Sequence, residues 1–252
     1  MRQEYTCSVI RREMLTSDTA YLTIKCPEIA SSAIPGQFVN ISCSRFLKRP
    51  FGIADVDCVN GTFNVGIKIV GNGSAELAAV EEGTTVNVLG PLGNGFDLSV
   101  SDSFVLVSGG TGVFPINFTY KRLKEAGKKV MMVQGFRDKS QICLTCDDYV
   151  VTTDAGDYGI KGTCIAGLDT LDISSNTVVC CVGPIPMMKA VGSWAKDKGL
   201  KCYISMEQRM ACGIGICLVC VCKVKAEEEG IPFNHVRCCK DGPVFDYEEV
   251  IL

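Results

Sequence analysis

The chain has 252 residues, of which 47% are hydrophobic and 21% are charged, and its formal net charge is −3. This composition excludes global disorder, and the length favours two domains over one. No run of Lys and Arg marks a surface for nucleic acid or for an anionic membrane. We find no export signal and no stretch of about 18 apolar residues, so we expect a cytoplasmic protein without nucleic-acid or membrane partners.

Cysteine is unusually frequent, with 16 residues in the chain. A disulfide scaffold is typical of short secreted proteins, whereas this chain is long and places cysteines such as Cys180 and Cys181 in an apolar, strand-like run. Reduced, buried thiols together with a metal site therefore explain the cysteine content better.

The first part of the chain, residues 1–98, predicts an antiparallel β-barrel. Short alternating segments at 20–24, 37–41 and 63–67 are separated by turns rich in Gly and Pro, which is the pattern of a small barrel. A short helix is predicted near residues 75–79.

Residues 99–205 follow a different rhythm, in which strands and helices alternate. We predict strands at 103–107, 129–133, 164–166 and 177–181, with helices at 115–126 and 186–198. This order indicates a doubly wound parallel sheet. The predicted fold class is thus α/β plus β.

The last part, residues 206–252, is rich in cysteine and glycine and is too small to build a core of its own. Cys212, Cys217 and Cys220 have the C-x4-C-x2-C spacing of plant-type [2Fe–2S] proteins, which need a distant fourth ligand. Spacing alone leaves three candidates for that ligand, namely Cys222, Cys238 and Cys239. A zinc site is the alternative, although zinc sites usually contain two C-x2-C pairs.

Two glycine turns each join a predicted strand to a predicted helix. Residues 108–112 read Ser-Gly-Gly-Thr-Gly, and residues 183–187 read Gly-Pro-Ile-Pro-Met. Glycines at such a turn let a phosphate approach the backbone at a helix N-terminus, and both turns should flank one crevice. The first turn does not match G-x-G-x-x-G, and tight turns without a ligand are the alternative.

Residues 49–53, Arg-Pro-Phe-Gly-Ile, place a planar cation beside an extended segment and an aromatic ring. This combination suits a pyrophosphate and the edge of an isoalloxazine ring. An ordinary barrel strand with a surface arginine is the alternative.

These segments, in this order and over nearly the whole chain, resemble the ferredoxin-reductase superfamily. More closely, they resemble the iron–sulfur electron-transfer subunits of heteromeric, NAD-linked dihydroorotate dehydrogenases. The tail is the most specific part, because a cysteine directly before Lys240-Asp241-Gly242-Pro243 is a cluster ligand in that group. The resemblance thus selects Cys239 as the fourth ligand beside Cys212, Cys217 and Cys220.

The resemblance implies three cofactors, namely FAD on the barrel, NAD on the parallel sheet and one [2Fe–2S] cluster in the C-terminal part. It also implies the cofactor-binding residues, which are Arg49, Pro50, Phe51, Gly52, Ile67, Lys68, Ile69, Gly73, Ser74, Gly109, Gly110, Thr111, Gly112, Gly183 and Pro184. No catalytic acid or base is predicted, and the single histidine, His235, is expected in a loop.

The resemblance further implies a heterotetramer with an FMN-containing catalytic subunit that oxidises dihydroorotate, whose electrons pass through the cluster and FAD to NAD⁺ during pyrimidine biosynthesis. The apolar residues Ile214, Ile216, Leu218 and Val219 form a candidate contact with that subunit, or else pack on the reductase domains. An NAD(P)H reductase subunit that feeds ferredoxin or a sulfur-reducing partner is one alternative function. A non-enzymatic zinc-binding adaptor is the other.

Three positions depart from the family pattern. Gly52 stands where the family usually has Ser, Val182 where it has Cys, and Ser108 where it has the first Gly of the nucleotide turn. Each change removes or alters a cofactor contact, while none removes a group that the chemistry requires. Arg137, after the second strand of the nucleotide domain, could meet a 2′-phosphate, whereas the resemblance favours NAD.

Overall fold

A computed structural model of the protein describes residues 3–145, 148–226, 228 and 230–252. The described residues form a closed barrel, a seven-stranded sheet and a three-stranded sheet. None of the helices in these ranges is long and apolar enough to cross a membrane.

The predicted N-terminal barrel is confirmed. Six antiparallel strands close in the order β1-β2-β5-β4-β3-β6. Their side chains alternate between the inside and the outside, so that Leu22 and Ile24 of β2, for example, fill the interior with Val65 and Ile67 of β5. The strands are β1 (Gln3–Thr16), β2 (Thr19–Lys25), β3 (Phe38–Ile41), β4 (Arg49–Asp57), β5 (Thr62–Lys68) and β6 (Thr85–Leu92), and the helices are α1 (Pro27–Ser32) and α2 (Asn72–Ala78).

The predicted parallel sheet is also confirmed. Its strand order is β10-β9-β8-β7-β11-β12-β15, and every neighbouring pair is parallel except β12 and β15. The elements are β7 (Ser103–Gly109), α3 (Val113–Glu125), β8 (Lys129–Phe136), β9 (Tyr149–Thr153), β10 (Ile160–Lys161), α4 (Cys164–Leu168), β11 (Val178–Val182), α5 (Ile185–Asp197), β12 (Cys202–Ser205) and β15 (Val244–Asp246).

Helices cover both faces of this sheet. Leu106 packs with the α3 residues Val113 and Phe114, whereas Val107 packs with Leu168 of α4 and Val191 of α5. Successive residues of β7 therefore face opposite helical layers, as a doubly wound sheet requires.

One predicted strand is wrong. Residues 164–166 belong to helix α4 (Cys164–Leu168), in which Cys164 and Leu168 are both buried. These two residues are four positions apart and lie on one face of a helix, whereas a short apolar run looks the same in a strand and in a buried helix. The strand of this region is β9 instead.

The C-terminal part does not fold apart from the nucleotide domain. β13 (Val221–Val224), β14 (Asn234–Arg237) and β16 (Val250–Ile251) form the small third sheet, with His235 on β14 rather than in the predicted loop. β15, however, pairs with β12 at the edge of the large sheet. Cys220 and Cys239 lie in the same apolar core as Ile204 of β12. The predicted boundaries after residues 98 and 205 stay predictions, and β15 crosses the second one.

Because the nucleotide domain and the C-terminal part share one core, a cavity at Ile204 should lower the stability of both. Ile204 is fully buried and pairs with Phe245 of β15. We expect Ile204→Ala to lower the free energy of unfolding by about 2–5 kcal/mol, as is typical of a buried Ile→Ala change. Denaturant unfolding of the anaerobically purified protein, followed both by tryptophan fluorescence and by cluster absorbance, measures this.

Ile10→Ala is the matched control, because Ile10 lies on β1 and is 48% exposed. We expect it to change stability by about 0.5 kcal/mol or less. Loss of the cluster signal in Ile204→Ala at an unchanged fluorescence midpoint would contradict the shared core.

Candidate cofactor and iron–sulfur site

The cysteine loop after β12 turns its backbone N–H groups toward its own sulfur atoms. The N–H groups of Ile214, Ile216 and Cys217 point at the Sγ of Cys212 at 3.4, 3.4 and 3.5 Å. Gly213 and Gly215 have φ values of 69° and 85°, which favour glycine, and they let the chain curl around this sulfur. The loop is thus built to hold a negatively charged thiolate.

The acidity of Cys212 reflects this geometry. Desolvation alone raises the pKa of a thiol, but the N–H donors of Cys217, Ile214 and Ile216 outweigh it and lower the pKa of Cys212 to about 6. A thiolate is the form that binds metals.

The four predicted ligands come together as two pairs. The Cys212 N–H lies 3.5 Å from the Sγ of Cys217, and the Cys239 N–H lies 3.4 Å from the Sγ of Cys220. Burial, followed by the neighbouring Cys220, raises the pKa of Cys239 to about 12. Within the described ranges, no three His, Cys, Asp or Glu side chains are close enough to hold one metal ion. Two separate thiol pairs fit a [2Fe–2S] cluster, since each of its two irons takes two thiolates.

The other two candidates for the fourth ligand point elsewhere. The Cys238 thiol donates to the backbone carbonyl of Met206 at 3.1 Å, and the Cys222 thiol lies 3.8 Å from the carbonyl of Val236. Both thiols are buried, and burial raises the pKa of Cys222 to about 11. These contacts favour Cys239, which agrees with the sequence prediction.

The guanidinium of Arg49 lies against the start of α2. A Cβ on Gly73 would lie only 2.5 Å from the Nε of Arg49, so the Arg49 guanidinium packs directly against this glycine. The Ser74 hydroxyl accepts from the N–H groups of Val70 and Gly71 at 2.9 and 3.1 Å, and therefore braces the loop before the helix. The structure thus brings together Arg49, Gly73 and Ser74.

Other predicted flavin residues contribute differently. Phe51 and Ile67 pack against the barrel core, so their backbone rather than most of the side chain faces outward. Pro50 and Gly52 lie on the outer face, and a Cβ on Gly52 would come within 3.1 Å of Pro115. Ile69 follows β5 and is partly exposed. The missing hydroxyl at Gly52 is thus accompanied by a close contact with α3.

A cavity of about 690 Å³ lies at the carboxyl ends of the parallel strands. Residues of both glycine turns line it together with Lys68, whose Nζ is held by Gln141 at 2.8 Å and by Asp18 at 3.4 Å. The predicted residues in its lining are Lys68, Gly109, Gly110, Thr111, Gly183 and Pro184. This is the crevice expected for a dinucleotide.

Gly112 does not line the cavity, although it was predicted to bind the cofactor. A Cβ there would lie 2.2 Å from the backbone oxygen of Val182, so Gly112 lets the first turn pack on β11. The two family departures beside it are buried: Val182 packs in the core under α3, and the Ser108 hydroxyl has no hydrogen-bond partner among the described residues.

The sequence reasoning missed several residues of the cavity. Arg137 lines it as anticipated, and so does Met187 of the second glycine turn, but Asp154, Cys164 and Glu207 were not predicted there. Asp154 directly follows β9, so its position at a strand end was a usable signal once that strand was known. Cys164 was misplaced because α4 was taken for a strand.

The contacts of Cys239 and Cys238 predict that replacing these two adjacent cysteines affects the cluster differently. We expect Cys239→Ser to lose most of the [2Fe–2S] cluster, because serine offers no thiolate to the second iron. Cys238→Ser, the matched control, should keep the cluster, since its thiol bonds to Met206 instead. Iron and acid-labile sulfide per chain, measured after anaerobic purification, decide between them. Equal loss in both variants would contradict the assignment.

The close packing of Gly112 on Val182 allows a test of whether the first glycine turn shapes the NAD site. We expect Gly112→Ala to weaken NAD binding by about tenfold or more, because the added Cβ pushes the first turn away from Val182. NADH titration followed by fluorescence measures this effect. Iron and FAD content serve as the control and should stay unchanged, and an unaltered NADH affinity would show that the turn does not shape the site.

Comparison with known proteins agrees with this arrangement. Residues 207–251 match the family model described as the iron–sulfur cluster binding domain of dihydroorotate dehydrogenase B. The electron transfer subunit of dihydroorotate dehydrogenase B (NAD(+)) from Bacillus pumilus is 37% identical, covering 100% of this chain and 99% of its own. The protein of the same name from Streptococcus thermophilus is 38% identical, covering 86% of this chain and 87% of its own.

Solved structures show the same fold. A chain of the NADH-dependent reduced ferredoxin-NADP oxidoreductase, studied for flavin-based electron bifurcation, has a TM-score of 0.85 and 29% identity over 98% of this chain and 90% of its own. The ferredoxin reductase of carbazole 1,9a-dioxygenase has a TM-score of 0.69 and 20% identity, covering 79% of this chain and 67% of its own, and it supports the fold alone. The chain therefore belongs to the family of electron transfer subunits of dihydroorotate dehydrogenase B (NAD(+)).

Proposed function

We propose that this chain carries electrons from a dihydroorotate-oxidising partner subunit to NAD⁺. The observation that carries the proposal is the convergence of two thiol pairs, a flavin-type barrel face and a dinucleotide crevice in one packed chain. Family membership supports the same activity, since the relatives are named for electron transfer in this dehydrogenase.

The residues that would hold each cofactor follow from the geometry. Cys212 and Cys217 would bind one iron, while Cys220 and Cys239 would bind the other. Arg49 would hold the FAD pyrophosphate beside Gly73. The flavin, when bound, exchanges two electrons as hydride with nicotinamide and single electrons with the cluster.

The protein itself supplies position and electrostatics. Lys68, fixed by Gln141 and Asp18, places a positive charge at the edge of the crevice. The N–H groups around Cys212 favour negative charge on the cluster. In this proposal the cofactors carry the electrons, so no step uses a protein acid or base.

We propose that the partner docks on the cluster loop. Ile216, Leu218 and Val219 are exposed there, with Ile216 75% accessible, whereas Ile214 packs against the shared core. Leu218 is exposed and has a φ of 58°, an uncommon value for a residue other than glycine. An apolar patch beside a redox centre fits a protein partner. We propose further that the partner contains FMN, that the complex is a heterotetramer and that it lies in the cytoplasm.

A second candidate is a reductase subunit that serves ferredoxin. The fold similarity to the NADH-dependent reduced ferredoxin-NADP oxidoreductase, at 29% identity, favours it. The two candidates share every cofactor and differ in the partner.

The complex itself provides the test. When the chain is produced anaerobically with the dihydroorotate-oxidising subunit of the same cell, we expect co-purification and reduction of NAD⁺ by dihydroorotate. Ile216→Glu should weaken the complex by about tenfold or more while keeping the cluster, because it places a charge in the apolar contact.

Val59→Glu is the matched control, since Val59 is 96% exposed in a barrel turn and should leave the complex intact. Ferredoxin-dependent NAD⁺ reduction without any response to dihydroorotate would favour the second candidate.

A further inference from the structure

Asn40 is a polar side chain on the outer face of the barrel. Its neighbours on β3, Val39 and Ile41, fill the barrel interior. Phe38, two residues before it, packs instead with the core that contains Cys220 and Cys239. Alternation along the strand places Asn40 on the same outer face as Phe38, toward the C-terminal part.

This outer face of the barrel also carries the segment of residues 49–53 that is proposed to contact the flavin. Asn40 pairs directly with Pro50, and Phe38 pairs with Gly52. Residues opposite each other on antiparallel strands project to the same side. Asn40 therefore lies beside the segment that would contact the flavin.

Its amide also touches the cluster loop. A Cβ on Gly213 would lie only 2.2 Å from the Nδ2 of Asn40, so the amide occupies the space that any side chain at 213 would need. Gly213 sits between Cys212 and Ile214, whose N–H group points at the Cys212 sulfur. One side chain is thus in contact with the cluster loop and adjacent to the flavin face.

The other end of the amide has no partner. Asn40 is 1% exposed, and its Oδ1 finds no hydrogen-bond donor in the described part of the chain. A buried acceptor left unpaired is destabilising, and an apolar side chain would pack there without that cost. An amide at this position therefore indicates a donor that the polypeptide does not supply.

We propose that Asn40 is a positioning residue that hydrogen-bonds both cofactors, with its nitrogen serving a sulfur atom of the cluster and its oxygen serving a donor group of FAD. The proposal rests on the proposed function, because it takes the cluster and flavin assignments as given. The chemistry matches at both ends: cluster sulfurs accept hydrogen bonds, whereas the ribityl hydroxyls and the ring N–H of a flavin donate them.

Two measurable properties depend on such a bridge. A hydrogen bond to a cluster sulfur stabilises the more negative, reduced cluster and raises its reduction potential. A hydrogen bond to FAD slows the loss of the flavin. A residue that only filled space would change neither property when replaced by one of similar size.

The test uses the anaerobically purified holoprotein and three variants. Asn40→Leu should lower the reduced-to-oxidised ratio of the cluster by about tenfold at a fixed potential, which is 59 mV for one electron. It should also speed FAD loss at least about threefold. Asn40→Asp keeps the acceptor but replaces the donor with a charge, so the potential should fall while FAD loss stays at the wild-type rate.

Asn64→Leu is the matched control, because Asn64 is a barrel asparagine whose Nδ2 bonds to Thr23 at 2.8 Å, within the barrel. It should match the wild type in both readouts, which are an EPR-monitored redox titration and the FAD retained after dialysis. A change in only one readout for Asn40→Leu, or values equal to the control, would overturn the bridge.

Asn40→Asp keeps the size of the side chain, so its potential remains informative if Asn40→Leu does not fold. A wild-type protein without cluster or flavin would refute the proposed function instead, which separates the two failures.

Discussion

The arrangement depends on holding four cysteine thiols as two pairs, although two thiolates in one pair repel each other. Two effects act on them in opposite directions. Backbone N–H groups lower the pKa of Cys212 to about 6, while burial and the neighbouring Cys220 raise the pKa of Cys239 to about 12. Gly213 and Gly215 allow the loop to direct its backbone N–H groups at the Cys212 sulfur, which stabilises the negative charge there.

A single core links this constraint to the rest of the molecule. The cluster loop has no core of its own, and it packs on Ile204 of the parallel sheet and on Leu92 of the barrel. β15 ties the C-terminal part into the large sheet beside β12. The cluster loop is thereby joined to the nucleotide domain and to the barrel residues Phe38 and Leu92, while the rest of the barrel interior forms a separate core. Electron transfer between cofactors requires fixed distances, and a shared core provides them without a flexible linker.

Much of this architecture was predictable, since alternation and glycine punctuation reveal the barrel, and strand–helix alternation reveals the sheet. The misplaced segment at Cys164 shows the limit, because five apolar residues carry too little periodicity to separate a strand from a helix. Side-chain direction was a second limit: Phe51 and Ile67 belong to the flavin motifs, yet they point into the barrel. The spacing of the cysteines predicted the loop. The contacts of the Cys238 and Cys222 thiols with the carbonyls of Met206 and Val236, which direct these thiols away from the loop, are visible only in the tertiary structure.

In the proposed cluster, two pairs of thiolates hold two irons. Low-temperature EPR of the anaerobically purified, dithionite-reduced protein, combined with iron and sulfide analysis, tests it most directly. We expect a spin-one-half signal that integrates to one electron per two irons, with two labile sulfides per chain. An EPR-silent protein that binds one zinc and no sulfide would contradict it.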